Sequence, residues 1–357
     1  MKGGKSMESR ASNSVMTRAR AKYGASLSNA DFDALAGLSS LGEAVTFLRT
    51  RTHFAPYFEK LASDPSLSRI KLESAVRTAF MTEAHRLCGF EKSVGNTILK
   101  YITISSEAEL LLDYIINLSQ GTPEKMIFKL PSKCASPTRL DFSKLFQITD
   151  VAQLAIYLRK TKFAKLATVL PKNNGGEYDI SLIEATIERI KYGIVFNTIN
   201  KAFPAETAKT LSEGILMRIE LTDFNLIYRA KKYYGLSENY IRTNLIGYRC
   251  LLPLRTAESI LAAKTADEAL GILKKSRYAA KIERHGIEDI ELFCKKAAID
   301  SDIRQIHFSA DPAVVLAAYL RIFETECDNI VKIIEGISYK MPKEEIMKNL
   351  IIIKKGA

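Results

Sequence analysis

Apolar residues recur at the spacing i, i+3, i+4, i+7 in three separate stretches of the chain. The three stripes are Leu41, Ala44, Val45 and Leu48; Val151, Leu154, Ala155 and Leu158; and Ala266, Ala269, Leu270 and Leu273. This spacing places the side chains on one face of an α-helix. Each stripe therefore predicts an amphipathic helix.

Each predicted helix starts at a residue type that caps helices well. The three candidate caps are Ser40, Asp150 and Thr265. Their side chains can accept hydrogen bonds from the first free N–H groups of a helix. Three residues later stand the partners of a capping box, which Asp150 leaves imperfect in the second copy: Glu43, Gln153 and Glu268. The same helix start is therefore predicted three times.

A base and then an aromatic residue follow the last stripe position in every copy. The bases are Arg49, Arg159 and Lys274, and the aromatic residues are Phe54, Phe163 and Tyr278. A second helix then begins at matched spacing, with an apolar face formed by Leu72, Val76 and Ala79, by Ile183, Ile187 and Ile190, and by Ile290, Cys294 and Ala297. Each copy is therefore predicted to be a helical hairpin.

An acid stands directly after the first residue of each second stripe. The three acids are Glu73, Glu184 and Glu291. Because an active site does not need three copies in one chain, we interpret these acids and the three bases as structural positions of the repeat. We expect each Glu to face an Arg or Lys on a neighbouring antiparallel helix, where the ion pair fixes the register.

Longer helical stretches separate the hairpins, at about 101–119, 208–234 and 312–336. Each is followed by a turn and a short helix in the segments GTPEKMIFKL (121–130), GLSENYIRTNLI (235–246) and YKMPKEEIMKNLI (339–351). The repeat period is 110 to 115 residues, as measured between Ser40, Asp150 and Thr265. It exceeds the units of about 20 to 50 residues of solenoid repeats, and it indicates repeated domains. We predict a flexible leader at 1–14 and helical repeat domains at 15–130, 131–246 and 247–357, between which helices can be exchanged.

The chain is basic, with 52 Lys and Arg against 40 Asp and Glu and a formal net charge of +12 over 357 residues. This excess favours an anionic partner, such as nucleic acid, anionic lipid or an acidic protein surface. One hypothesis is therefore a basic α-helical scaffold that binds nucleic acid through phosphate contacts. Against it, the bases are spread along the chain rather than gathered in a tail.

The sequence has no uninterrupted apolar run of about 18 residues that could cross a bilayer, and its N-terminus has no secretory signal pattern. Its five cysteines are far apart and odd in number, as expected of free thiols in a reducing compartment. These features predict a cytosolic address.

The sequence motifs of catalysis are incomplete. GGKS at 3–6 lacks the upstream glycine and strand of a phosphate-binding loop, and NNGG at 173–176 lacks the GxGxxG spacing. The four histidines form no HExxH pair, and there is no GxSxG elbow. We therefore expect no catalytic residues, no cofactor and no metal site.

Taken together, these residues resemble a known family. The opening RARAKYGASLSNADFDALAGLSSLGEAVTFLRTRTHFAPYF is similar to the start of the V-type ATPase central-axis subunit, named C in bacteria and archaea and d in eukaryotes. The closing FETECDNIVKIIEGISYKMPKEEIMKNLI is similar to its C-terminus, and the hairpins at 150 and 265 match as well. The order and spacing of these motifs are more specific than any one of them.

The resemblance implies an all-α fold, with three pseudo-threefold-related helical domains forming a funnel-shaped molecule. It implies a non-catalytic subunit of a rotary ATPase or ATP synthase, without a cofactor, that couples ATP hydrolysis or synthesis to H⁺ or Na⁺ translocation. The expected partners are the shaft subunits and the membrane rotor ring. Nucleic acid is not expected, and the protein would be peripheral, on the cytoplasmic face of the membrane.

Partner contacts are expected at the turns that the repeat relates, around Pro123, Ser237 and Pro342. We predict polar contacts there from Glu124, Glu238, Asn239, Glu344 and Glu345, against the simpler interpretation that these residues only cap helices. Near the N-terminus, the bases Arg18, Arg20 and Lys22 are candidates for docking to an acidic partner surface.

Overall fold

The computed structural model describes residues 3–61, 63–64, 66–121, 137–171 and 176–352, with side chains from residue 13 onward. Over these ranges the chain forms seventeen α-helices and no strand. The predicted all-α class is therefore confirmed. The predictions for Pro123 and Glu124, and most of the NNGG segment, concern residues outside the described ranges.

One compact unit combines the two ends of the chain, residues 1–96 and 289–357. Its helices are α1 (Gly3–Gly24), α2 (Asn29–Ala36), α3 (Leu41–Arg51), α4 (Ala55–Phe58), α5 (Arg69–Phe90), α15 (Ile290–Phe308), α16 (Pro312–Ser338) and α17 (Lys343–Lys348). The central helix α16 contacts α1, α2, α3, α5, α15 and α17. Because 20 of its 27 residues are buried, α16 is the core of this unit.

The second compact unit is residues 97–288. Its helices are most of α6 (Lys92–Ser119), then α7 (Phe142–Leu145), α8 (Val151–Leu158), α9 (Ile180–Ala202), α10 (Ala205–Arg229), α11 (Glu238–Asn244), α12 (Leu254–Ala262), α13 (Ala266–Lys274) and α14 (Ala279–His285). One apolar cluster joins Leu111 and Tyr114 of α6 to Leu158 of α8 and Ile187 of α9. A second packing centre is α10, which contacts α9, α12 and α13.

Each long helix packs against helices of another repeat. Helix α6 shares its core with α8 and α9, α10 contacts α13, and α16 contacts α3 and α5 of the first repeat. The last of these contacts connects the C-terminal part of the chain to its N-terminal part. The domain boundaries inferred from the sequence remain a prediction.

The three predicted helix starts are confirmed, with a change in detail. The side chains of Ser40, Asp150 and Thr265 accept hydrogen bonds from the N–H groups three residues later, at 2.8–3.2 Å. In the predicted capping box, each Glu side chain would accept from the backbone N–H of the cap residue. Instead it accepts from the residue before the cap: Glu43 from Ser39 N at 2.9 Å, and Glu268 from Lys264 N at 2.7 Å.

Two of the three acids that recur at the start of the second helices form ion pairs along their own helices. Glu73 pairs with Arg69 at 3.1 Å and Glu291 pairs with Lys295 at 2.5 Å, each within its own helix. Residues four apart are neighbours on a helix surface, so these pairs form without a second helix. Glu184 is exposed, and its pKa is raised by partial burial and by Glu188. Glu291 also lies close enough to Lys332 of the neighbouring helix α16 for its charge to oppose the lowering of the lysine pKa by burial. The contact of each Glu with a base on an antiparallel helix remains a prediction.

The bases of the first helices are also surface residues. Arg49 lies 3.9 Å from Glu59, and both Arg159 and Lys274 are exposed. Pairs of this kind contribute about 0 to 1 kcal/mol to stability.

Candidate interaction surfaces

A different set of acids recurs in the interior of the molecule. Glu107, Glu220 and Glu326 lie on α6, α10 and α16 and are 4%, 4% and 2% exposed. Each accepts a hydrogen bond from the segment that precedes the helices of another repeat. Thr138 donates to Glu107 at 2.6 Å, the backbone of Cys250 to Glu220 at 2.8 Å, and the backbone of Leu27 to Glu326 at 2.7 Å. These buried glutamates tie each long helix to another repeat.

The three aromatic residues that follow the first helices are buried, and the backbone N–H of each one donates to a nearby hydroxyl. Phe54, Phe163 and Tyr278 are all 0% exposed. Their N–H groups donate to the hydroxyls of Thr52, Thr161 and Ser276 at 3.0–3.1 Å. Each hydroxyl in turn donates to the carbonyl of the last stripe residue, which is Leu48, Leu158 or Leu273. The same local turn is therefore built three times.

The long helices end in matched turns. Gly121, Gly235 and Lys340 have φ values of 73°, 56° and 56°, in the left-handed region. This conformation ends a helix and reverses the chain, and Lys340 adopts it without the freedom of glycine. The turn after α10 adds a π-helical turn at Ala230–Tyr234.

Large aromatic side chains lie exposed at these turns. Tyr233 and Tyr234 are 63% and 66% exposed after α10, and Tyr339 is 65% exposed after α16. The Tyr339 hydroxyl accepts a hydrogen bond from Arg69 at 3.0 Å. The sequence pattern drew attention only to the recurring aromatic residues of the hairpins, so sequence reasoning missed these three. Their clustering around a turn signal, a glycine or a proline, could have revealed them.

The predicted contact residues that are described lie on the short helices after these turns, and all of them are exposed. Glu238 and Asn239 begin α11, while Glu344 and Glu345 lie in the first turn of α17. Glu238 pairs with Arg242 at 2.9 Å. Acidic side chains at these positions also favour the positive end of the helix dipole.

The three N-terminal bases already have partners within their own unit. Arg20 donates to the carbonyls of Ile306 at 2.8 Å and Ser309 at 2.7 Å, at the end of α15. Lys22 pairs with the buried Glu83 at 2.9 Å, and the guanidinium of Arg18 lies 4.0 Å from the Phe90 ring centroid. Arg20 and Lys22 thus stabilise the packing of α1, and their role in docking remains a prediction.

Several further features bear on chemistry. Among the described residues, no group of three or more His, Cys, Asp or Glu side chains is placed to hold a metal ion. Burial raises the pKa of the Cys88 and Cys294 thiols to about 12, which suppresses the nucleophilic thiolate at neutral pH.

None of the described helices is both long and apolar enough to traverse a bilayer.

The chain belongs to a family of rotary ATPase subunits. Residues 15–349 match the family model described as ATP synthase (C/AC39) subunit. Since this match covers almost the whole sequence, the protein is a member of the C/AC39 subunit family, and the resemblance seen in the sequence is confirmed. The comparison with curated proteins gives no match.

Proposed function

We propose that the protein is the non-catalytic subunit that links the central shaft of a V-type rotary ATPase or ATP synthase to its membrane rotor ring. In this role it couples ATP hydrolysis or synthesis to H⁺ or Na⁺ translocation and sits peripherally on the cytoplasmic face. Membership in the C/AC39 family, over residues 15–349, carries the proposal.

The threefold recurrence of local structure supports a funnel of three domains around a pseudo-threefold axis. Caps, buried aromatic residues, buried glutamates and left-handed helix ends all recur in three copies. A ring of equivalent domains offers equivalent positions around a shaft on its axis. Torque transfer also needs stiffness, and buried pairs such as Arg321 with Asp302 at 2.6 Å restrict movement between helices.

The test is purification of the tagged protein from native membranes in mild detergent, with mass spectrometry of what stays bound after a moderate-salt wash. We expect shaft and ring subunits of the rotary ATPase. Recovery of nucleic acid or soluble proteins alone would overturn the proposal. In that case the basic scaffold becomes the better hypothesis, and its affinity for nucleic acid should fall steeply with salt.

The contact residues need a separate test. Charge reversal at Glu344 and Glu345 is expected to uncouple ATP hydrolysis from ion pumping without unfolding the protein, because both side chains are exposed. At the N-terminus, Arg18 is the most informative base, since Arg20 and Lys22 hold α1 in place. If reversal of Arg18 leaves assembly and pumping unchanged, this base has no docking role.

A further inference from the structure

Among the described residues of the second unit, the turn after α10 exposes several large apolar side chains that helical packing does not use. All nine residues of 232–240 are exposed. They include Tyr233, Tyr234, Leu236 and Tyr240, at 63%, 66%, 38% and 37% exposure. The two adjacent tyrosine rings diverge, with centroids 6.5 Å apart and planes at 73°. They present two hydrophobic side chains outward from one tip.

An extra residue in the second repeat creates this tip. Glu326 lies 14 residues before the left-handed Lys340, and Glu107 lies 14 before Gly121, but Glu220 lies 15 before Gly235. The π-helical turn at Ala230–Tyr234 accommodates the additional residue. Such turns are rare and are found frequently at functional sites. The third repeat achieves the same chain reversal without one, so the fold does not require it.

The tip is basic as well as aromatic. Residues 228–242 carry four bases, Arg229, Lys231, Lys232 and Arg242, and one acid, Glu238. Glu238 pairs with Arg242, which also pairs with Glu258 at 2.6 Å, and the Lys231 ammonium group donates to the Ala263 carbonyl. Lys232 lies at the tip itself and is exposed. Lys232 lies over the rings of Tyr228 and Tyr233, at 5.2 Å and 5.4 Å from their centroids, and its Nζ donates to the Tyr228 hydroxyl at 3.2 Å. The cationic head therefore stays beside the aromatic groups.

We propose that the turn formed by residues 232–240 binds the headgroup layer of an anionic phospholipid membrane. Tyrosine rings are favoured at the membrane interface, where the apolar ring enters the acyl boundary and the hydroxyl remains hydrated. Lysines reach from apolar surroundings to phosphate groups, and each base near an anionic surface strengthens binding. This inference rests on the proposed function, which keeps the protein beside a bilayer.

The experiment is co-sedimentation of the purified full-length protein with vesicles of phosphatidylcholine, alone and mixed with phosphatidylserine. The double variant Tyr233→Ser, Tyr234→Ser has the same net charge as the wild type. Non-specific attraction of a basic protein to anionic vesicles is therefore the same for the two proteins. We expect the double variant to bind the mixed vesicles at least about tenfold more weakly. Lys232→Ser should weaken binding about fivefold, and less in high salt.

Tyr339→Ser is the matched control, because Tyr339 occupies the equivalent turn after α16 and is equally exposed. It should change binding less than twofold, and circular dichroism of each variant should show an intact fold. Equal binding by the wild type and the double variant would overturn the proposal. Normal vesicle binding by the double variant, combined with loss of rotor subunits when that variant is purified, would also overturn it, because the tip would then contact protein. Failure of the wild type to retain rotor subunits instead overturns the proposed function and leaves the vesicle result valid.

Discussion

At the scale of single residues, buried carboxylates connect the helices of this protein. Glu220 accepts hydrogen bonds from the backbone N–H groups of Cys250, Leu251 and Leu252 and from the Tyr278 hydroxyl. A buried charge is costly unless hydrogen bonds replace its water, and these four bonds do so. The same donors would be left unsatisfied if the carboxylate were removed.

Replacement of Glu220 by Leu is therefore expected to destabilise the protein by about 3 to 5 kcal/mol, because it strands three backbone donors and a tyrosine hydroxyl. Urea denaturation followed by circular dichroism measures the effect. Glu213 lies on the same helix but is exposed, so Glu213→Ala should change stability by no more than about 0.5 kcal/mol. Similar losses for the two variants would show that the buried bonds contribute little.

Asp223 gives α10 a titrating group in the physiological range. Burial raises its pKa to about 6, although hydrogen bonds from the backbone of Gly247 and Ile246 oppose the shift. Because the folded state holds this proton more tightly than the unfolded chain, the stabilisation is fully present below about pH 4 and is lost as the pH rises through about 6. The third repeat has Asn329 at this place, bonded to the backbone of Ile351.

Asp223→Asn should remove this pH dependence. Between pH 4 and pH 7 we expect the stability of the variant to rise by about 2 kcal/mol relative to wild type, as measured by urea denaturation across that range. Glu213→Gln, an exposed carboxyl on the same helix, should show no such trend. A constant difference between Asp223→Asn and wild type would mean that Asp223 titrates near its ordinary pKa.

At the scale of helices, local signals and long-range contacts behave differently. The starts of α3, α8 and α13 were predictable because a cap and its N–H partner are only three residues apart. The hydroxyl bonds of Thr52, Thr161 and Ser276 are equally local but carry no strong sequence signal, since threonine and serine occur in many turns. The extra residue of the π-helical turn is recognised by counting from Glu220 to Gly235, and the burial that marks Glu220 is a tertiary feature.

Deletion of Tyr234 should convert the π-helical turn of the second repeat into the simpler turn of the third. Because the deletion restores the spacing between the buried glutamate and the left-handed residue, we expect the melting temperature to change by less than about 2 °C. Deletion of the exposed Thr222 is the contrasting control. It rotates every later residue of α10 by about 100° and should lower the melting temperature by more than about 8 °C. Equal damage from both deletions would show that the inserted residue is needed for folding.

At the scale of the whole chain, its two ends depend on each other. Helix α16 is the core of the unit formed by residues 1–96 and 289–357, and it contacts both α1 and α5. Without α16, the apolar faces of these N-terminal helices would be open to water. The unit formed by residues 97–288 has an apolar cluster of its own, built by α6, α8 and α9.

A chain that ends at Phe308 is therefore expected to lose protection selectively. Limited proteolysis with mass spectrometry should show early cleavage in α1 to α5, while residues 97–288 persist as a resistant fragment. The full-length chain is the control, and its α1 to α5 should resist cleavage under the same conditions. Uniform resistance of the truncated chain would mean that the N-terminal helices fold without α16. Cleavage throughout would mean that the two units fold only together.

The sequence by itself determined the all-α class, the three capped helix starts and the family, because caps and apolar stripes act over a few positions. Only the tertiary structure decided which acids are structural. Glu73 and Glu291 pair along their own helices, while Glu107, Glu220 and Glu326 bind distant backbone. Exposure and burial depend on which helices pack together, and that packing joins residues far apart in the chain. The tyrosines at the helix ends stand beside turn signals in the sequence, but how far each side chain is exposed was decided by the packing.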